Sequence, residues 1–225
     1  MAVVDQDAVP GCGRARAGGG YATTSQPRAG WCRHRSNPRV SAAGRVRIVG
    51  GRLRGRRLPV LAVPGLRPTP DRVRETVFNW LQGRLIGTRC LDLFAGSGAL
   101  GLEAASRGAS QVVLVERNRR LAARLKTLVA EWALVGVSVR AEDARRFLCQ
   151  APQPFDLVFL DPPFGRDLLA PVGRLLVAGS WLAPHALLYV ESEPTFDAAK
   201  LPPELRELRA GAAGEVRFRL LQRLE

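Results

Sequence analysis

From residue 89 to the C-terminus, apolar runs of strand length alternate with stretches of helical length. This alternation constrains the fold more than any other feature of the chain. Cys90–Phe94, Val112–Glu116, Val137–Arg140, Phe155–Asp161 and Ala186–Val190 read as strands, with two more near 205–209 and 215–222. Residues 98–107, 118–134, 143–149 and 167–179 read as helices. Gly108 stops the first, and Leu121, Leu125, Leu128 and Trp132 share one face of the second. Near-continuous apolar strands are covered on both faces, and strands separated by helices lie parallel. The expected fold is a doubly wound α/β sandwich. Upstream, Arg45–Val49 alternates, Gly50-Gly51 signals a turn, and Arg56–Val60 can return as a second strand, which reads as a basic hairpin. A helix over 70–83 follows. Thr69 is its N-cap, Pro70 its first residue, and Val73, Val77, Trp80 and Leu81 line one face.

Charge narrows the partners. The 225 residues carry 34 Lys and Arg against 20 Asp and Glu, a net of +14. Residues 1–57 hold 12 arginines against only Asp5 and Asp7, which suggests a polyanion near the N-terminus, although a base-composition bias also yields an arginine-rich chain. With 46% hydrophobic residues the chain is not wholly disordered. No run approaches the roughly 18 apolar residues of a membrane helix, and the first ten residues lack a secretory pattern, so a soluble cytoplasmic protein is expected. Residues 1–44 read as a disordered basic tail, or as a start placed too far upstream. Cys12, Cys32, Cys90 and Cys149 are scattered, Cys32 and His34 make only half a zinc pattern, and free thiols without a metal are expected.

The first strand–helix turn carries the first chemical motif. Gly96, Gly98 and Gly101 satisfy G-x-G-x-x-G, and Glu116 ends the next strand 20 residues after Gly96, placed for ribose hydroxyls. Asp92, just before the loop, would repel a pyrophosphate but suits a cofactor with a cationic amino-acid end, as in S-adenosylmethionine (SAM). After the third strand, Asp143 can accept from an adenine amine or simply cap the next helix. The candidate cofactor residues are Asp92, Phe94, Ala95, Gly96, Ser97, Gly98, Glu116, Arg117, Asp143 and Ala144. Gly98→Val is expected to abolish SAM binding while the fold survives.

The second motif, Asp161-Pro162-Pro163-Phe164, closes the fourth strand. It resembles the D/N-P-P-Y/F loop of SAM-dependent methyltransferases acting on exocyclic amines of nucleobases. Such an amine is a poor nucleophile because its lone pair is conjugated into the ring. Asp161 and the Pro162 carbonyl can accept its N–H bonds and favour the pyramidal nitrogen, and Phe164 offers a stacking face to an extruded base. The candidate catalytic residues are Asp161, Pro162 and Phe164.

Arg47-Ile48-Val49-Gly50-Gly51 and Arg67-Pro68-Thr69-Pro70-Asp71-Arg72-Val73-Arg74-Glu75, with these two motifs, narrow the family. From about Arg45 to the C-terminus the chain resembles the bacterial 16S ribosomal RNA guanine-N2 methyltransferases. The resemblance implies a seven-stranded Rossmann-like methyltransferase sheet with an antiparallel last strand, preceded by a turn at Gly211–Gly214. It also implies an N-terminal hairpin, SAM as donor, and 16S rRNA in an assembling small-subunit ribonucleoprotein as substrate. Residues 45–84 then form an RNA-facing hairpin and helix, 85–225 the methyltransferase domain, and the protein is a monomer. Arg47, Arg52, Arg54, Arg56, Arg57 and Arg67 are the candidate RNA contacts, with a plain solvated hairpin as the alternative. Competing functions are adenine-N6 methylation of DNA or RNA, nicotinamide-dependent oxidoreduction, and non-catalytic RNA binding.

Overall fold

The computed structural model describes residues 42–61 and 71–224. The tail before residue 42 lies outside them, as do Cys12, Cys32, His34, Arg67, Thr69 and Pro70. A two-stranded antiparallel hairpin, β1 (Ala42–Arg47) and β2 (Arg57–Leu61), is followed by α1 (Asp71–Trp80). Then come β3 (Arg89–Asp92), α2 (Ala99–Ser106), β4 (Gln111–Val115), α3 (Arg119–Glu131), β5 (Val137–Arg140) and α4 (Ala144–Leu148). The chain ends with β6 (Phe155–Leu160), α5 (Leu169–Ala178), β7 (Leu182–Ser192), β8 (Leu205–Ala213) and β9 (Val216–Arg223).

The seven strands of the main sheet lie in the order β5-β4-β3-β6-β7-β9-β8. The first five are parallel, and β9 runs antiparallel to both its neighbours. Alternation along the strands builds two cores. Cys90, Leu157 and Phe159 face α1, α2, α3 and the hairpin, whereas Leu91, Val158 and Leu160 face α4 and α5. The hairpin residues Val46, Ile48, Leu53, Leu58 and Val60 are buried in the first core. After β3 the chain winds outward to β4 and β5, then returns on the other side of β3 as β6. In such sheets the crevice at the carboxyl ends of the strands flanking this reversal is where ligands bind. No helix among the described residues is long and apolar enough to cross a membrane.

Four expectations shift. The first hairpin strand starts at Ala42, three residues before Arg45, because Ala42 pairs with Leu61 across a bulge. The turn signalled by Gly50-Gly51 is longer than the stretch between the expected strands. The connection runs over 48–56, contains a 3-10 turn at Gly51–Leu53, and is closed by the Ile48 amide donating to the Arg56 carbonyl and the Gly55 amide to Ile48. The fifth main-sheet strand extends to Leu182–Ser192, since β6 and β9 pair with its two sides. Finally, Gly211 lies within β8, opposite Phe218, and not in a turn. A Cβ there would stand 2.6 Å from Phe218 Cε2, so ring packing requires the glycine.

Candidate active site

The reversal point is built from acids that end apolar strands. Asp92 ends β3, Glu116 follows β4, Asp161 follows β6, and Glu191 lies near the end of β7. Register places these strand ends side by side, with Asp92 opposite Leu114 and Phe159, and Phe159 opposite Tyr189.

Asp92 is only 1% exposed. Its Oδ2 accepts from the Gly101 amide at 3.0 Å, while its Oδ1 is buried without a hydrogen-bond partner among the described residues. Burial pushes its pKa up to about 7, the Gly101 and Phe94 amides oppose the rise, and the Glu116 and Glu191 charges add to it. Gly101 lies against Leu114, and a Cβ there would run into that side chain, so α2 seats directly on the strands. Glu116 grips the loop from the other side. Its Oε2 accepts from the Gly96 amide at 2.8 Å and its Oε1 from the Asn118 amide at 2.6 Å. It therefore shapes the loop, a task its position in the sequence did not suggest.

Within the loop, Ala95, Gly96 and Gly98 are buried and Phe94 and Ser97 half-buried. Gly98 caps α2 at φ 81°, and a Cβ on it would meet Leu125 Cδ2 at 2.6 Å and Leu102 Cδ1 at 2.9 Å. A side chain here strikes the core, not the crevice. The expectation that Gly98→Val spares the fold is therefore corrected. Asp143 caps α4 by accepting from the Arg145 amide at 2.9 Å, the buried Ala144 opens that helix, and Arg117 is exposed.

On the β6 side Pro162 is buried, Asp161 half-buried and Phe164 38% exposed. Two residues missed from the sequence stand behind this loop. The buried Tyr189 hydroxyl donates to Glu191 Oε1 at 2.8 Å. Burial first, then the charges of Glu191 and Asp161, raises the Tyr189 pKa well above its ordinary value.

The hairpin stands on α2. All eight residues of this helix are buried, and Glu103 is its one charged residue. Glu103 accepts from the Val49 and Gly50 amides at 2.7 Å each and from Arg107 Nε at 2.8 Å. Behind it lies Arg74, fully buried, with NH1 3.8 Å from Glu103 Oε2 and NH2 2.5 Å from Asp71 Oδ1. A lone carboxylate in an otherwise apolar helix was the available signal, since a buried charge demands partners. Arg47, Arg52, Arg54, Arg56 and Arg57 are all exposed, but the Arg56 guanidinium lies 5.1 Å from the Trp132 ring centroid.

A family model described as conserved hypothetical protein 95 matches residues 46–222. The ribosomal RNA small subunit methyltransferase D of Escherichia coli (strain K12) is 47% identical over 186 residues, 83% of this chain and 94% of that protein. The chain belongs to this methyltransferase family. The Haemophilus influenzae protein of the same name is 44% identical over 187 residues, 81% of this chain and 96% of its own. Two solved structures share the fold. The Escherichia coli protein yhhF gives a TM-score of 0.73 at 44% identity, covering 80% of this chain and 99% of that one. The Haemophilus influenzae protein HI0767 gives 0.70 at 41% identity, covering 81% and 100%. Membership in a methyltransferase family sets aside the oxidoreductase and non-catalytic readings of the glycine loop.

Proposed function

We propose that this enzyme methylates the exocyclic N2 amine of one guanine of 16S rRNA, with SAM as donor, on an assembling small-subunit ribonucleoprotein. The observation that carries this reading is the unpaired, buried Asp92 Oδ1 at the sheet's reversal point, one strand from Asp161-Pro162-Pro163-Phe164. A buried acceptor without a donor suits a cationic ammonium group. SAM has that group, and when bound it supplies a methyl group already activated by a positive sulfur, so the chemistry calls for no metal. Asp92 would take its amino-acid end, the Phe94–Gly98 loop its middle, and Asp143 and Ala144 its adenine; Glu116, whose oxygens each hold one amide and keep a second acceptor position, would take its ribose with Arg117.

The remaining residues handle the base. Asp161 and the Pro162 carbonyl accept the amine's N–H bonds, and two prolines hold that carbonyl in place before the substrate arrives. Phe164 presents an exposed ring for stacking. The exposed arginines Arg47, Arg52, Arg54 and Arg57, with Arg67, take the phosphate backbone, and residues 1–44 are dispensable for catalysis. Arg56 is the weakest of the expected contacts, because its charge already lies over Trp132. The reading includes a monomer working in the cytoplasm.

Digestion of 16S rRNA from cells lacking the gene tests it. Loss of one N2-methylguanosine supports the proposal; loss of N6-methyladenosine, with N2-methylguanosine intact, overturns the choice of base.

A further inference from the structure

α2 touches both halves of the proposed activity. At its start, Gly98 turns the cofactor loop and the Gly101 amide holds Asp92. Within the next five residues, about 7.5 Å of helix, Glu103 and Ser106 hold the connection between β1 and β2. Four hydrogen bonds converge there. Glu103 takes the Val49 and Gly50 amides, and Ser106 Oγ accepts from the Leu53 amide at 2.9 Å and donates to the Gly50 carbonyl at 2.5 Å. Gly51, at φ 71°, sits so close that a Cβ would overlap the Ser106 carbonyl.

Every one of these bonds goes to the backbone of the connection. The side chains of Arg52, Arg54 and Arg57 remain exposed and make no ion pair or hydrogen bond among the described residues. The clamp therefore fixes the backbone in one register and leaves the arginines pointing away from it. A well-packed apolar residue in place of Glu103 would avoid the cost of burying a charge, but would leave two amides of the connection unpaired.

We infer that Glu103 is a positioning residue for the RNA substrate. It sets where the arginine loop stands relative to the methyl-donor loop at the other end of the same helix. This inference rests on the reading that those arginines bind RNA. A small misplacement far from the reacting atoms is enough to cost an enzyme an order of magnitude or more.

Steady-state kinetics on small-subunit particles from cells lacking the gene, with calorimetric S-adenosylhomocysteine affinity, test the inference on four proteins. These are the wild type, Glu103→Gln, the triple variant Arg52→Gln/Arg54→Gln/Arg57→Gln, and their combination. Glu103→Gln should raise KM for the particles about tenfold, with kcat and S-adenosylhomocysteine affinity within about twofold. In the triple-variant background it should add no further rise, because residues acting through one another are not additive. Ser106→Ala removes the second anchor without touching the buried Arg74–Glu103 pair. It should show the same pattern more weakly, and it carries the test if Glu103→Gln does not fold. Equal factors in both backgrounds overturn the positioning role. So does an unchanged KM in Glu103→Gln and Ser106→Ala while the triple variant raises it, and in both cases the arginine reading stands. An unchanged KM in the triple variant overturns both readings.

Discussion

Asp92 and Glu103 are buried carboxylates against the same helix, yet they are satisfied in opposite ways. Glu103 gives both oxygens to donors of the chain itself, two loop amides and Arg107. Asp92 gives one oxygen to Gly101, and the other is buried and makes no hydrogen bond among the described residues. Residue type and burial do not separate an anchor from a binding site here; the count of remaining acceptor positions does. A saturated carboxylate has its partners once the chain folds. An unsaturated one retains a desolvation cost that a cationic ligand removes.

The largest effect expected from this contrast is on the anchor. Glu103→Ala leaves Arg74 with its buried charge uncompensated on that side and should destabilise the fold by about 3–5 kcal/mol, read from chemical denaturation. A loss under 1 kcal/mol would mean that solvent reaches Arg74 and that the clamp is ornamental. Next comes the chemistry. Asp161→Ala should slow single-turnover methyl transfer by about a hundredfold to a thousandfold, as for loss of one aimed polar group, with S-adenosylhomocysteine affinity nearly unchanged. An unaltered rate would remove Asp161 from the reaction.

The smallest effect is in pH. Asp92 is raised from 3.8 to about 7, so the folded chain holds a proton that the unfolded chain loses between those values. Its contribution to stability is therefore full below about pH 4 and is lost as pH rises towards 7. A cationic ligand needs the ionised form, so S-adenosylhomocysteine should bind about fivefold more weakly at pH 6 than at pH 7, with proton release on binding visible by calorimetry in two buffers. A flat profile over pH 5–7 would show that Asp92 is already ionised.

The parallel strands were legible because burial on both faces leaves near-continuous apolar runs that local pattern reveals. The candidate acids were legible for a related reason: Asp92, Glu116 and Asp161 each interrupt apolar sequence at a strand end. What escaped depends on contacts distant in the chain. Gly211 looks like a turn residue until the Phe218 ring is set against it. Glu103 finds its amides 53 and 54 residues upstream, and Gly98 faces Leu125 of another helix. The connection over 48–56 shows only its Gly50-Gly51 turn signal in the sequence, because the side chains that anchor it, Glu103 and Ser106, lie outside the hairpin altogether.

Asp92→Asn tests the central claim most directly, by calorimetry of S-adenosylhomocysteine binding and by the melting temperature of the ligand-free protein. Asparagine keeps the shape and the bond from Gly101 but removes the buried charge. The ligand-free variant should melt higher than wild type at pH 7.5 and bind S-adenosylhomocysteine about a hundredfold or more weakly, as when one partner of a buried charge pair is removed. A variant that melts lower and binds the ligand as tightly as wild type would contradict the account, because Asp92 would then be an anchor like Glu103.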